Sequence, residues 1–377
     1  MKGKQGMVCM GLLLVLSSCH TGKQITASGL QRKDFQTEVN GQHTDLFTLS
    51  NKQGMEVCIT NYGARVVSIL VPDRNGKRED VVCGFSTITE YMEQRQNFGS
   101  TVGRYIGRIL NARFTLDGVE YKLVPNNGKS GHISHGGNPG FADRIWKVEQ
   151  ADTHRVRLSY LSPDGENGFP GNLKVTLVYS LGEDDNALDL TYEATTDAPT
   201  VLNLSHHSFF NISGNFTKSV EDQQLWVDAD RFTPYDDKKC VTGEYLPVAG
   251  TPLDFRMPHA IGECIDADHP QLKVVNGYDH TWELNTKGDD TRPAAWVYDP
   301  ASGRKMEIFT TEPGMQIYTG NGLKGKMTGK GRIAYPFRSA VCFETMHFQD
   351  SPNQPEFPST VLRPGEVFHS HTVYKFE

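Results

Sequence analysis

The chain has 377 residues, of which 37% are hydrophobic and 22% charged, and a formal net charge of −7 at pH 7. That length is enough for a large core, and neither a repeat nor a low-complexity tract divides it. An acidic balance without basic clusters excludes the concentrated Lys and Arg that a phosphate backbone requires, so the expected partner is a small molecule and not nucleic acid.

The chain opens with Lys2 and Lys4, an apolar run from Met7 to Leu16, and then Leu16-Ser17-Ser18-Cys19. A positive start, a short apolar stretch and small residues read as a secretory signal over residues 1–19, too short to span a bilayer. Its ending resembles a bacterial lipoprotein signal, which implies cleavage before Cys19, a lipid on that cysteine and an exported protein, periplasmic or membrane-anchored. Residues 20–34 are polar and without periodicity and read as a flexible tether, leaving 35–377 as a single domain.

Within the domain the pattern is strand after strand. Val57–Ile59, Arg65–Val71, Ala112–Leu116, Arg155–Tyr160, Leu173–Ser180, Leu188–Ala194, Gln224–Val227, Ala294–Tyr298, Met306–Thr311 and Val341–Thr345 are rich in β-branched or aromatic residues and often alternate. Turn sequences such as Asp73-Arg74-Asn75-Gly76 and Pro163-Asp164-Gly165 separate them. Only Thr87–Gln94 reads as helical. Short strands without intervening helices predict an all-β fold, a large antiparallel β-sandwich. Five cysteines lie beyond the signal, and an odd number without CxxC spacing fits neither a disulfide framework nor a zinc cluster. Buried thiols are expected, with Cys240 and Cys264 as one potential pair.

Two histidines stand side by side in Asn203-Leu204-Ser205-His206-His207-Ser208-Phe209-Phe210-Asn211, and a third precedes two glycines in Ser134-His135-Gly136-Gly137. A histidine near its ordinary pKa both takes and gives a proton around neutrality, whereas an ordinary carboxylate there is only a base. One of each lets a site donate at one substrate atom and accept at another. Opening a cyclic hemiacetal needs that combination: a proton leaves the anomeric hydroxyl and another reaches the ring oxygen.

From about Asp45 to Phe376 the chain resembles the aldose 1-epimerase (galactose mutarotase) family. The resemblance rests on ordered segments that include Asn61–Phe85, Phe98–Gly118, Ser134–Trp146, Asn203–Gly214, Asn276–Leu284, Thr310–Asn321 and Phe343–Glu366. It implies a galactose mutarotase-like supersandwich with a free hexose in an open cleft, interconverted between its α and β anomers. It further implies that His207 is the general acid and Glu344 the general base. Arg108, His135, Asp279 and Gln316 then fall on substrate-binding positions. His206 points to the opposite face from His207 if the segment is a strand, and reads as support or rim. Gly136 and Gly137 are expected to let the backbone approach the ligand. Phe141, Tyr278 and Trp282 are candidates for an apolar face under the sugar. The chain also departs from the commonest family pattern. Gly107 stands where asparagine precedes the arginine and so removes a side-chain amide, Ser134 replaces leucine, and Phe209 replaces tyrosine.

Other chemistries have less support. The histidines show no HxH or HExxH spacing for a metal, and no nucleophile elbow is present. No cofactor is implied, because hemiacetal opening moves protons only, and nothing specifies an oligomer. The remaining alternatives are a noncatalytic sugar-binding lipoprotein on the same fold, and a glycosidase that uses Asp279 and Glu344 as its carboxylate pair.

Overall fold

The structure is a computed structural model that describes residues 24–377; residues 1–19, read above as a secretory signal, and Cys19 with them, lie outside the described residues. Each of the ten expected strands appears, with ends shifted by a residue or two. They assemble into antiparallel sheets, of which the two largest pack face to face. One sheet has nine strands in the order Lys147–Ala151, Arg155–Ser162, Leu173–Leu181, Ala187–Thr196, Phe368–Phe376, Lys305–Thr310, Ala295–Tyr298, Gln224–Val227 and His259–Ala260. The other has six, in the order Phe209–Phe210, Val341–Met346, Gly314–Tyr318, Asp279–Glu283, Arg231–Thr233 and Leu246–Pro247. A four-stranded sheet over Leu46–Asp80 flanks them.

Side-chain alternation explains how the sheets meet. In Ala187–Thr196, Leu188, Leu190, Tyr192 and Ala194 are buried, while Asp189, Thr191 and Glu193 face outward. That is the signature of an antiparallel strand with one wet face. Val341–Met346 is different, because all six residues are buried. Its Val341 and Phe343 point into the core with Ile317, Met315 and Trp282. Its other face, which carries Cys342, Glu344 and Met346, lies beneath loops that wall a cleft. Burial of each large apolar side chain on the core face contributes on the order of 2 kcal/mol, which fixes the register and therefore the direction of the polar face.

Two expectations need correction. Pro270–Val275 is a second short helix, begun by proline at its first turn and ended by Asn276 at φ 61°; its single apolar turn is too brief to show a helical period in sequence. The stretch expected as a tether is, from Gln24 onward, packed on the domain. Ile25 bridges to Gln31, Leu30 and Phe35 are buried, and the Ala27 N–H donates to Glu56 Oε1 at 2.7 Å. A polar composition hid these few apolar anchors. The helix Ile88–Gln94 is capped as its sequence suggests, with Thr87 accepting from the Glu90 N–H and Glu90 reaching back. All five cysteines of the described residues are free thiols, Cys240 and Cys264 included.

Candidate active site

The polar face of the six-stranded sheet builds the floor of the site. Thr281 lies opposite Gln316, and Gln316 opposite Glu344, so three neighbouring strands present a polar row on one face. Two residues along, Asp279, Tyr318 and Cys342 form a parallel row. Thr281 donates to Gln316 Oε1 at 2.5 Å, and Gln316 Nε2 donates to Asp279 Oδ1 at 2.7 Å. The floor is thus a chain of hydrogen bonds that orients a carboxylate and an amide before any ligand arrives.

His207 arrives from another segment. Ser205–His207 pairs with Ser100–Val102, and the chain then crosses to pair Phe209 with Cys342 at the edge of the six-stranded sheet. This crossing brings His207 Nε2 to 3.4 Å from Glu344 Oε1, with the two residues 6% and 4% exposed. Phe209 stacks on the imidazole at 5.1 Å with an interplanar angle of 11°. His206 points the other way, as alternation requires. It is buried among Tyr179 and Tyr374, and its Nε2 lies 2.6 Å from Ser208 Oγ. It is a core support and not a rim residue.

The remaining wall is formed by paired strands Arg108–Ile109 and Ile133–Ser134 and the loop after them. The His135 N–H donates to the Gly107 carbonyl at 2.9 Å, and its ring stands 5.5 Å from that of His207. Together Arg108, His135, His207, Asp279, Gln316 and Glu344 line one cleft of about 250 Å³. The structure therefore brings together all six residues singled out in the sequence.

Burial sets the electrostatics. It pushes the Glu344 carboxyl well above its ordinary value, helped by the nearby Asp279 charge. It drives His207 well below its ordinary value, with His135 and His206 adding to the effect. His135 falls to about 4 through burial and the Arg108 guanidinium. Asp279 is raised by burial, against the opposing pull of Arg108. Among the described residues a ring nitrogen of His207, Cys342 Sγ and a Glu344 oxygen lie within 4.8 Å of one another, a donor set of the kind that suits a thiophilic divalent ion. The same imidazole and carboxylate also suffice for proton transfer without an ion, and the Cys342 thiol is buried beneath them with a pKa pushed well up.

Some expectations fail at the cleft. Phe141, Tyr278 and Trp282 are at most 1% exposed and belong to the core; the apolar groups that do line the cleft are Phe209, Tyr318 and Met346. Gly136 serves the packing of two loops, since a Cβ there would sit 2.0 Å from the Gly103 carbonyl oxygen. Gly137 likewise packs on the Asn167 side chain. Sequence reasoning missed Gln349, which lines the cleft beside Gly107 and Arg108. The signal was the glycine at 107, whose missing side chain leaves room that some other residue must fill.

A family model described as aldose 1-epimerase matches residues 45–375. The chain belongs to the aldose 1-epimerase family. Galactose mutarotase from Bos taurus is 40% identical over 331 residues, covering 88% of this chain and 93% of the relative. Aldose 1-epimerase from Escherichia coli K12 is 36% identical over 339 residues, covering 89% and 96%. The crystal structure of an aldose epimerase homologue from C. elegans superposes with a TM-score of 0.81 at 30% identity, covering 89% of this chain and 99% of that one. The supersandwich of this epimerase is thus that of its family.

Proposed function

We propose that this aldose 1-epimerase uses His207 as general acid and Glu344 as general base on free hexoses of the galactose and glucose type. The observation that carries the assignment is the 3.4 Å approach of His207 Nε2 to Glu344 Oε1 within the cleft. A sugar lying across both groups offers its anomeric hydroxyl to the carboxylate and its ring oxygen to the imidazolium. Glu344 removes the hydroxyl proton, the bond between C1 and the ring oxygen breaks, and its electron pair takes the proton from His207. The product is the open aldehyde. Rotation about the C1–C2 bond exposes the other carbonyl face, and the same two groups return their protons in reverse to close the ring. Arg108 offers planar donors to adjacent sugar oxygens, while Asp279 and Gln316 accept and donate at ring hydroxyls from positions the floor network has fixed.

Polarimetry on freshly dissolved α-D-galactose and α-D-glucose tests this directly. The expected result is equilibration much faster than the spontaneous drift. A protein that binds hexose yet leaves the drift unchanged would be the noncatalytic sugar-binding lipoprotein instead.

The export signal read from the sequence supports a reaction outside the cytoplasm, with Cys19 as a lipid-bearing N-terminus. Fractionation of cells that express the full chain checks this: the parent is expected in the membrane fraction and Cys19→Ala outside it. Equal partitioning of the two would remove the anchor from the account.

A further inference from the structure

Gly107 is the one place where the cleft lacks a side chain that the family pattern supplies, and the structure shows what stands there. Its φ is 76°, a conformation that glycine adopts freely and asparagine tolerates better than most residues. A Cβ built on Gly107 would lie 2.6 Å from Gln349 Cγ and 3.1 Å from Gln349 Cδ. The space beside Arg108 is therefore occupied by a side chain of the adjoining loop, the one that follows Val341–Met346.

Gln349 is held there by its own contacts. Its Nε2 donates to the Tyr235 hydroxyl at 2.7 Å and to Gln316 Oε1 at 3.3 Å, and its Oε1 accepts from the Arg108 N–H at 3.3 Å. It is 4% exposed and its surface lines the cleft. The carboxamide thus joins the loop of Arg108 to the floor residue Gln316. One lone pair of Oε1 is left over after the Arg108 contact, because an amide oxygen accepts two hydrogen bonds.

We infer that Gln349 is a sugar-binding and specificity-determining residue of this epimerase, supplying from the adjoining loop the amide that Gly107 lacks. The inference rests on the reading of the cleft as the epimerase site. The two positions are coupled: a side chain at 107 would force Gln349 out of its present place. An amide reaching in from 349 meets the sugar from a different angle than one rooted at 107. The pair therefore sets which hydroxyl configuration is preferred, not whether the ring opens.

A mutant cycle tests this, with anomeric exchange rates on a hexose panel and direct sugar titration as readouts. The parent is assayed first; absence of any activity there counts against the epimerase reading and is distinguishable from a failure of the Gln349 assignment. Gln349→Met keeps the bulk beside Gly107 and removes the amide. It is expected to raise KM and the dissociation constant about fivefold to twentyfold, by more than kcat falls, and to change the ranking of hexoses. Gly107→Asn alone is expected to weaken binding through collision with Gln349. The double variant Gly107→Asn, Gln349→Ala is expected to bind better than either Gly107→Asn or Gln349→Ala alone. Thermal unfolding of each variant separates loss of fold from loss of contact. If folded Gln349→Met kept the parent KM and hexose ranking, or the double variant were no better than the single ones, the inference would be overturned.

Discussion

Burial moves His207 and Glu344 in opposite directions, and both movements favour the same proton transfer. A raised carboxyl is a stronger base and a lowered imidazolium a stronger acid, so the proton passes more readily from His207 through the substrate to Glu344. The pair carries one proton before ring opening, on His207, and one after it, on Glu344. Turnover therefore requires the singly protonated pair, whose two apparent pKa values belong to both groups jointly. Adding a second proton blocks the base; with His207 lowered from 6.5, this acid limb of the kcat/KM profile is expected below 6.5. Removing the last proton abolishes the acid; with Glu344 raised from 4.5, this alkaline limb is expected above 4.5. An acid limb centred at or above the ordinary histidine value would contradict this assignment. His207→Asn and Glu344→Gln are each expected to lower kcat by about 10²-fold or more, while calorimetric titration finds hexose binding largely retained. Rates within threefold of the parent in both would remove the two residues from the chemistry.

Individual strands explain why some of the site was legible in the sequence. Glu344 follows the apolar run Val341–Phe343 on one strand, and a carboxylate there is costly unless it is hydrogen-bonded or used. The pair His206-His207 could be divided between two faces by alternation alone, and the structure agrees. Gln349 and the true apolar lining could not be read in the same way, because each depends on a loop meeting a distant strand. Phe141, Tyr278 and Trp282 are as aromatic as Phe209, and only the tertiary arrangement sends them to the core. The polar row across the three floor strands yields its own prediction. Thr281 is fully buried and donates to Gln316 Oε1, so Thr281→Val removes a donor while keeping the shape. Gln316 then keeps only the longer Gln349 contact on that oxygen. The expected effect is about 1 kcal/mol of stability and a KM raised severalfold as the amide loses its fixed orientation. An unchanged KM in a correctly folded variant would mean that the floor network does not position the sugar.

Across the whole molecule, the site sits on a sandwich whose interior holds histidines that must stay neutral. Burial depresses His206 and His280 to about 3 and His135 to about 4. The unfolded chain binds protons at these groups near 6.5, so their contribution to stability is fully present above that pH and is lost as pH falls towards the folded values. Glu344, Asp279 and Asp350 are raised in the fold and act in the opposite sense, so the parent's acid sensitivity is a sum of both. A single substitution isolates one contribution. His280 lies on the core face of Asp279–Glu283 against Phe232, Tyr235 and Trp282, and its Nε2 has no hydrogen-bond partner among the described residues. His280→Phe keeps the ring contacts and removes the titration. It also removes the Nδ1 acceptor of the Asp279 N–H, a cost independent of pH that shifts the stability curve without altering its slope. Denaturant unfolding free energies, measured from pH about 4 to 7, are expected to fall less steeply in the variant. The difference is up to about 1.4 kcal/mol per pH unit below the ordinary histidine value. The other shifted groups are common to both proteins and cancel in the comparison. Parallel curves for parent and variant would show that His280 already titrates in the fold, and would place water beside a ring that the packing encloses.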